Sequence, residues 1–211
     1  MPAADPRAAF FDERAARWDE TSGPERLAAI AAWCRALPLP PWATVVDIGC
    51  GTGVSSVACA EGLGDGGRVI ALDLAREMLR EGRARRDHPR VRWLCADGAR
   101  MPLRAGSADA IIAMHVWPHL VDVDGSGDGR ALAGLVLAEW RRVLRPGGTL
   151  RIVHLIPRDR VNAIHRGSGP AVTHDILPRA ADLARVVARH GFRVIIVEDD
   201  SRHYLVAAAR T

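Results

Sequence analysis

A short segment of alternating glycines follows an apolar run that contains an acid. The run Val45–Ile48 includes Asp47, and Gly49, Gly51 and Gly53 come directly after it. Glycine lets the backbone turn sharply and pass close to a ligand, because no Cβ stands in the way. A turn of this kind, between a buried strand and a helix, is typical of nucleotide sites. The sequence therefore predicts that a nucleotide-like ligand binds at this turn.

The spacing of the glycines distinguishes between classes of cofactor. Dinucleotide folds use G-x-G-x-x-G, which would require glycine at position 54, where the chain has Val54. The pattern here is G-x-G-x-G, and Asp47 stands two residues before the first glycine. This segment resembles motif I of the class I S-adenosylmethionine-dependent methyltransferases. The spacing disfavours a nicotinamide oxidoreductase.

A second acid stands where the ribose of a nucleotide would be bound. Asp73 ends the next apolar run, about twenty residues after the glycines, and a carboxylate there can accept hydrogen bonds from both ribose hydroxyls. A helix cap is the alternative, but the preceding glycine turn favours ribose binding, and the family carries its motif II acid at the matching point. We expect Leu74, Ala75 and Met78 to lie against the adenine.

The resemblance implies further cofactor contacts after the third and fourth predicted strands. Asp97 would bind the adenine amino group and the amide of Gly98 a ring nitrogen, although an Asp-Gly turn is the alternative. The segment Ser107–His115 matches the family's motif IV. The cofactor-binding residues implied are Asp47, Gly49, Cys50, Gly51, Gly53, Asp73, Leu74, Met78, Asp97, Gly98, Ala99 and Met114.

Histidines are concentrated where the predicted fourth and fifth strands end. His115 and His119 follow the fourth strand, His154 lies near the end of the fifth, and His165 and His174 fall in the long segment that follows. Imidazole accepts protons near neutral pH, and it also lines polar pockets. If the reaction needs a general base, we expect His115 to serve, with His119 and His154 next.

The same histidines raise the question of a metal site, because imidazole is a common metal ligand. His115 and His119 are four residues apart, but Pro118 interrupts a regular helix through them. The acidic segment 122–128 lacks the ligand spacing and the distal Glu of a calcium loop. No carboxylate partner is evident, so no metal ligand is assigned.

Helical and strand patterns alternate along the chain and predict the elements that place these residues. Repeated strand–helix units predict an α/β, Rossmann-like three-layer sandwich, in which a seven-stranded, mostly parallel sheet ends in an antiparallel hairpin. The family resemblance implies the strand order 3-2-1-4-5-7-6. The predicted strands are Thr44–Ile48, Arg68–Asp73, Val91–Cys95, Asp109–Met114, Thr149–Ile156, Phe192–Val197 and His203–Ala208. The predicted helices are Pro6–Asp19, one from Pro24, Val54–Glu61, Arg76–Arg86, one ending before Pro146 with Leu135 and Trp140 inward, and one from Pro178 to Gly191.

The chain reads as a single methyltransferase domain over residues 1–211, with residues 1–40 forming an N-terminal helical lid or cap within it. Phe11, Asp12, Trp18 and Asp19 resemble the F-D…Y-D opening of the ubiquinone/menaquinone-type methyltransferases. The aromatic residues would either form an amphipathic lid over the cofactor or dock the first helix.

Composition limits the classes of partner. The net charge is +4 and the pI about 9.3, but every basic residue is arginine and the arginines are mixed with acids, so a small molecule is favoured over nucleic acid. Four cysteines without a C-x-x-C pair indicate mostly buried thiols and a cytoplasmic location. The N-terminal residues lack the apolar run of a signal peptide, and no apolar run approaches the ~20 residues of a membrane helix. A homodimer is left open.

These resemblances cover most of the chain and imply one activity. We expect an S-adenosylmethionine-dependent methyltransferase that acts on a small molecule by direct in-line displacement. The alternatives are a metal- or metalloid-linked methyltransferase that uses the histidines and a non-catalytic S-adenosylmethionine-binding module. The Asp/Asn-Pro-Pro-aromatic signature of base-amino methyltransferases is absent after the fourth strand, where the chain reads His-Val-Trp-Pro-His.

Overall fold

The computed structural model describes residues 5–121 and 129–211, and for residues 129–131 it describes the backbone alone. In these residues, seven strands form one sheet with the order β3-β2-β1-β4-β5-β7-β6, which confirms the predicted fold class and strand order. The strands are β1 (Thr44–Ile48), β2 (Arg68–Asp73), β3 (Val91–Cys95), β4 (Ala108–Met114), β5 (Leu144–His154), β6 (Phe192–Asp199) and β7 (Tyr204–Arg210).

The chain divides into two compact units, Met1–Asp97 and Gly98–Thr211. In the first unit, β1, β2 and β3 pair in parallel. Every residue of β1 is buried, as expected for a parallel strand that is covered on both faces. The helices of this unit are α1 (Pro6–Asp12), a 3-10 turn (Ala15–Arg17), α2 (Trp18–Ser22), α3 (Pro24–Arg35), α4 (Val54–Gly62) and α5 (Arg76–Arg85).

In the second unit, β4 and β5 are parallel, and β7 pairs antiparallel with both β5 and β6. Trp117 and Trp140 are buried edge to face, with ring centroids 5.5 Å apart, and the indole N–H of Trp140 donates to the carbonyl of Gly98 at 2.9 Å. The helices of this unit are α6 (Trp117–Val121), α7 (Gly129–Val143), α8 (Arg158–Gly167) and α9 (Ala180–Arg189).

Some predicted elements differ from the structure. The N-terminal helix over 6–19 is broken into α1, the 3-10 turn and α2. Strand β5 begins at Leu144 rather than Thr149, because Ala108 pairs with Leu144 and Ala110 with Thr149, so residues 145–148 form a bulge. The long segment 157–177 contains α8, which the sequence analysis did not identify. The acidic segment 122–128 lies outside the described residues.

One burial prediction was wrong. Leu135 is 64% exposed, because the buried face of α7 runs through Ala133, Val136, Leu137 and Trp140. The prediction of mostly buried thiols is confirmed, since Cys34, Cys50 and Cys59 are buried and Cys95, which ends β3 at the edge of the sheet, is exposed. In the described part of the chain, no helix has both the length and the apolar character needed to cross a membrane. That residues 1–211 act as one domain stays a prediction.

Candidate functional site

The glycine turn after β1 has the backbone geometry that its sequence predicts. Gly49, Gly51 and Gly53 have φ angles of +65°, +54° and +81°, in the left-handed region that side chains disfavour. The amide of Cys50 donates to the carbonyl of Leu72 at 3.1 Å, and the amide of Gly53 donates to the carbonyl of Cys50 at 2.9 Å. The turn is therefore closed on itself and bound to β2.

The surroundings of Gly51 and Gly53 differ. A Cβ on Gly53 would lie 2.2 Å from Cη2 of Trp93, and one on Gly82 of α5 would lie 2.7 Å from Cζ3 of the same ring. A Cβ on Gly51 would meet Nε1 of Trp18 at 3.6 Å, an ordinary contact distance. Packing on Trp93 thus explains Gly53, whereas the space beside Gly51 is compatible with close approach of a ligand.

Asp73, the predicted ribose ligand, is held against the glycine turn. Its Oδ2 accepts a hydrogen bond from the amide of Gly51 at 2.8 Å, and its Oδ1 accepts one from the amide of Ala75 at 2.8 Å. Burial raises the pKa of Asp73, and the amides of Ala75, Gly51 and Leu74 partly offset that effect. A carboxylate offers about four acceptor positions, so this group fits a pair of ribose hydroxyls.

Asp47, also predicted to bind the cofactor, has structural partners. Its Oδ2 accepts hydrogen bonds from the hydroxyls of Ser55 and Ser56, both at 2.6 Å, and the residue is 1% exposed. Burial raises its pKa to about 6, although the two serines act in the opposite direction. The contacts join β1 to the first turn of α4 and so help to position the glycine turn. A cofactor contact of Asp47 stays a prediction.

The N-terminal segment is docked on the glycine turn and on α5. Oδ1 of Asp12 accepts from the amide of Glu77 at 2.7 Å, at the start of α5. Oδ1 of Asp19 accepts from the hydroxyl of Thr52 at 2.6 Å, and its Oδ2 pairs with Arg86 at 2.5 Å. This docking is the second of the two alternatives for the segment, and the lid over a cofactor stays a prediction.

The aromatic residues of this segment form a small cluster with α5. Phe11 and Trp18 contact edge to face, with ring centroids 5.6 Å apart, and both pack against Ala15, Ala75 and Met78. Met78 is 1% exposed. The side chain expected beside the adenine is therefore already in contact with the N-terminal segment.

The predicted adenine contacts are consecutive along the chain, and the division into units falls between the first two of them. Asp97, the last residue of the first unit, is exposed, and Gly98 at the start of the second is buried, with its carbonyl bound by Trp140. Ala99 is partly buried and Met114 at the end of β4 is buried. Their roles in cofactor binding stay predictions.

In the second unit, one pair of histidines lies where β4 and β5 end. His115 has a φ of +57°, and no other non-glycine residue in the described ranges has a positive φ. Its amide donates to the carbonyl of Val153 at 2.8 Å, and its Nε2 accepts from the amide of Leu155 at 3.3 Å. Its ring contacts His154 edge to face, with centroids 5.1 Å apart, and His154 contacts Tyr204 in the same way.

A second pair lies between α6, α8 and the segment that precedes α9. Nδ1 of His119 is bonded to Oδ2 of Asp175, and Nδ1 of His165 is bonded to the carbonyl of Asp175 at 2.6 Å. The ring centroids of His119 and His165 are 4.7 Å apart, and Asp175 is 1% exposed. Burial and nearby His119 lower the pKa of His165.

Sequence reasoning missed Asp175, and it placed His174 in the same region although that side chain is exposed. Helix α6 begins at Trp117, with Pro118 in its first turn, where a proline is tolerated. His115 therefore precedes the helix and His119 lies within it. This agrees with the prediction that Pro118 prevents a regular helix through both histidines.

In the part of the chain that the structure describes, no group of three or more His, Cys, Asp or Glu residues is arranged to hold a metal ion.

Residues 46–152 match the family described as Methyltransferase domain. Demethylmenaquinone methyltransferase from Corynebacterium urealyticum is 35% identical over 118 residues, which are 56% of this chain and 44% of that protein. Trans-aconitate 2-methyltransferase from Azoarcus sp. is 35% identical over 153 residues, which are 71% of this chain and 54% of that protein. The chain thus spans about half the length of these curated relatives.

Solved structures share the fold. A SAM dependent methyltransferase from Aquifex aeolicus superposes with a TM-score of 0.69 at 22% identity, over 91% of this chain and 96% of that one. At this level of identity the likeness concerns the fold, and it agrees with the strand order described above.

Proposed function

Because this chain belongs to the methyltransferase domain family, and is a class I S-adenosylmethionine-dependent methyltransferase in sequence and fold, we propose that it transfers a methyl group from S-adenosylmethionine to a small-molecule acceptor. The observation that carries the proposal is the contact between Asp73 and the amide of Gly51, at 2.8 Å. It joins an acid suited to ribose hydroxyls to a turn that accepts close approach of a ligand.

The residues of the first unit would hold the donor, which supplies a methyl group on a positively charged sulfur to an aligned nucleophile. Asp73 would accept from the ribose hydroxyls, and Gly49 and Gly51 would allow the backbone to approach. Holding two reactants in line accounts for a large part of such a rate, up to ~7–11 kcal/mol. The principal task of this unit is therefore positioning.

Cys50 lies on the same turn and would be a competing nucleophile if it ionised, because the thiolate is the reactive form. Burial raises the pKa of its thiol well above the usual range, and the charges of Asp73 and Asp47 act in the same direction. The side chain thus stays neutral at physiological pH. An electrophilic donor could bind here without methylating its own site.

Histidine side chains would supply the groups that act on the acceptor. His115, His119 and His154 remain the candidates for a base, as the sequence predicts. His115 and His119 are partly exposed, whereas His154 is buried against His115 and Tyr204. His154 is therefore suited to supporting His115 rather than to contacting the acceptor.

The names of the relatives support small acceptors, since one acts on demethylmenaquinone and another on trans-aconitate.

Cytoplasmic location and a homodimer are also part of the proposal. Edge strand β6 carries exposed Ile195, Ile196 and Val197, an apolar surface that a homodimer could bury. Light scattering after size-exclusion chromatography tests the dimer, and a monomer at all concentrations contradicts it.

The decisive experiment on the activity compares ligands and then products. Calorimetry with S-adenosylhomocysteine and NADH in parallel should give micromolar binding of the first and none of the second. Incubation with S-adenosylmethionine and fractionated metabolite extracts should then release S-adenosylhomocysteine. Tighter binding of NADH would overturn the assignment, and binding without turnover in any fraction would favour a non-catalytic binding module.

A further inference from the structure

We propose that Trp18 binds the methyl donor, and that its indole N–H donates a hydrogen bond to the carboxylate in the amino-acid tail of S-adenosylmethionine. The inference rests on the proposed methyl transfer and makes the recognition of its donor more specific. The N-terminal segment, residues 5–22, would then contact the part of the methyl donor that a plain nucleoside lacks. Trp18 and all the residues used in the argument belong to the first unit.

The indole of Trp18 has its polar edge beside the glycine turn. Its Nε1 lies 3.6 Å from the position that a Cβ on Gly51 would occupy. Within the described residues, the ring contacts Phe11 edge to face, and no hydrogen bond from Nε1 is present. An indole nitrogen donates but does not accept, and a buried indole usually has a partner for its N–H. The N–H is therefore available to a ligand that passes Gly51.

Trp18 is held in this place by its neighbours. Oδ1 of Asp19 accepts from the hydroxyl of Thr52 at 2.6 Å, which attaches the next residue along the chain to the glycine turn itself. The ring packs against buried Ala15 and against Met78 of α5. Because the indole is already fixed, little side-chain freedom is left to lose when a ligand binds.

The position of Asp73 indicates which part of the methyl donor reaches Gly51. Oδ2 of that carboxylate accepts from the amide of Gly51 at 2.8 Å, so a ribose bound by Asp73 has the glycine turn beside it. The adenine is expected against Leu74, Ala75 and Met78, which leaves the turn to the sulfonium and its amino-acid tail. The methyl donor has one anionic group, the carboxylate of that tail.

The charges around Trp18 are compatible with an anion there. Asp19 pairs with Arg86 at 2.5 Å and with Arg85 at 3.3 Å, so two arginines offset the acid that is adjacent along the chain. Helix α4 begins at Val54, directly after the turn, and the N-terminal end of a helix favours negative charge. The ammonium group of the tail cannot accept a hydrogen bond from an indole. The carboxylate is therefore the part of the tail that Trp18 would bind.

A contact with Trp18 would couple binding of the methyl donor to docking of the N-terminal segment. The segment is already attached through Asp12, which accepts from the amide of Glu77, and through Asp19. A ligand that also bonds to Trp18 adds a further link between the segment and the turn. Since linkage is reciprocal, a ligand that binds the docked segment more tightly also stabilises its docking. A nucleoside without the tail would lack this effect.

The first test compares two ligands that differ in the tail. S-adenosylhomocysteine carries the amino-acid tail, whereas methylthioadenosine has the same nucleoside and sulfur but ends in a methyl group. Trp18→Phe keeps an aromatic ring and removes the N–H. In calorimetry it should weaken the binding of S-adenosylhomocysteine roughly ten- to 100-fold and leave that of methylthioadenosine unchanged. Trp42→Phe, at a tryptophan of the same unit that is 54% exposed, is the matched control and should change neither.

Thermal unfolding shows whether the variants are folded, and Asp73→Ala should weaken both ligands because it acts on the ribose. Unchanged affinity of Trp18→Phe for S-adenosylhomocysteine would overturn the inference. An equal loss for the two ligands would also overturn it, because the contact would then be with the nucleoside. If the unaltered protein binds neither ligand, the proposed function fails instead.

The second test needs no variant. In the unaltered full chain, at saturating concentrations of each ligand, hydrogen-exchange mass spectrometry should find the amides of residues 9–22 better protected by S-adenosylhomocysteine than by methylthioadenosine. The amides of β6, in the second unit, provide the control and should not differ between the two ligands. Equal protection of residues 9–22 by both ligands would overturn the inference.

Discussion

Asp73 and Gly51 are joined by a hydrogen bond of 2.8 Å from the amide of the glycine to Oδ2 of the acid. The two motifs that the sequence presents separately, a glycine turn and an acid at a strand end, are therefore one structural unit. The second carboxylate oxygen binds the amide of Ala75, at 2.8 Å, ahead of α5. Asp73 thus connects the turn to the helix that follows it.

Replacing Asp73 tests its role as the ribose ligand. Asp73→Ala should weaken the binding of S-adenosylhomocysteine by about 1.5–3 kcal/mol, or roughly tenfold to 150-fold, because hydrogen bonds to a charged acceptor are lost. Calorimetry measures the affinity, and thermal unfolding shows whether the variant is folded. Asp65→Ala, at an exposed acid of the same unit, is the control, and equal affinities for the two variants would refute the assignment.

Gly53 should be required by packing as well as by its backbone angle. Gly53→Ala should lower the free energy of unfolding by about 1–2 kcal/mol from the left-handed φ and by a further ~1–3 kcal/mol from the clash with Trp93. Gly106→Ala separates the two effects, since Gly106 has a φ of +67° and an added Cβ would meet nothing within 4 Å. Urea denaturation should show the larger loss at Gly53, and equal losses would mean that Trp93 gives way.

The sequence predicts this turn well because its signals are local. An apolar run, an acid and three glycines lie within nine residues, Val45–Gly53, and each has a conformational meaning of its own. The first three strands were predicted to the residue for the same reason. The N-terminal helix was predicted too long, because its periodicity continues through residues 13–17, where the chain changes direction to bring Trp18 against α5.

The contacts between distant residues could not be predicted. His119 and Asp175 are 56 residues apart, and Asp175 lies in a segment without regular periodicity. Thr52 and Asp19 are 33 residues apart, and the threonine resembles any polar residue ahead of a helix. Such pairs are set by the packing of elements that are distant along the chain. No local pattern in a single sequence predicts that packing.

Asp19 should hold the N-terminal segment on the glycine turn. Asp19→Ala removes the hydrogen bond from Thr52 and the pair with Arg86, so amides of residues 9–22 should exchange with solvent faster, as measured by hydrogen-exchange mass spectrometry. Glu20→Ala is the control, because its contact with Arg17 at 3.5 Å is exposed and worth little. Unchanged exchange in Asp19→Ala would show that the aromatic cluster alone holds the segment.

The contacts of Asp19 with Thr52 and Arg86 should also depend on pH. Burial acts to raise the pKa of Asp19, but the hydrogen bonds from Thr52 and Arg86 outweigh it and lower the pKa. A carboxyl with a lowered pKa stabilises the folded state above its ordinary value and loses that contribution as the pH falls through the folded value. Protection of the amides of residues 9–22, measured as their exchange rate relative to the unstructured chain at the same pH, should therefore fall below about pH 4, and a loss of protection that begins near neutral pH would contradict this.

The buried carboxyl of Asp47 should make the folded state less stable as the pH rises, whereas Asp19 makes it less stable as the pH falls. The pKa of Asp47 is raised from 3.8 to about 6, so the folded state binds more protons than the unfolded state between these values, and stability falls as the pH rises through that window. The difference corresponds to roughly 3 kcal/mol. Thermal unfolding of the wild type and of Asp47→Asn from pH 4 to pH 7 should show the wild type losing stability relative to the variant, with most of the loss below pH 6.

Asparagine at position 47 can still accept from Ser55 and Ser56, so the comparison isolates ionisation from the loss of these contacts. Other titrating groups are common to both proteins and cancel in the difference. A difference in stability that stays constant from pH 4 to pH 7 would mean that the buried carboxyl does not titrate in this range.

His115 should carry a conformational cost that glycine relieves. Its φ of +57° is disfavoured for any residue with a Cβ, by about 1–2 kcal/mol. His115→Gly and His115→Ala both remove the imidazole and its bond to the amide of Leu155, so their difference reports the backbone alone. Urea denaturation should find the glycine variant more stable by about 1 kcal/mol.

Ile164 provides the reference for that comparison, because it lies in α8 and is 45% exposed. In a helix glycine is less favourable than alanine by about 0.8–1 kcal/mol, so the order of the Gly and Ala variants should be reversed at position 164. If alanine were also the better residue at position 115, the left-handed conformation would not persist in solution. The bond between Nε2 of His115 and the Leu155 amide, which depends on this backbone, would then lose its support.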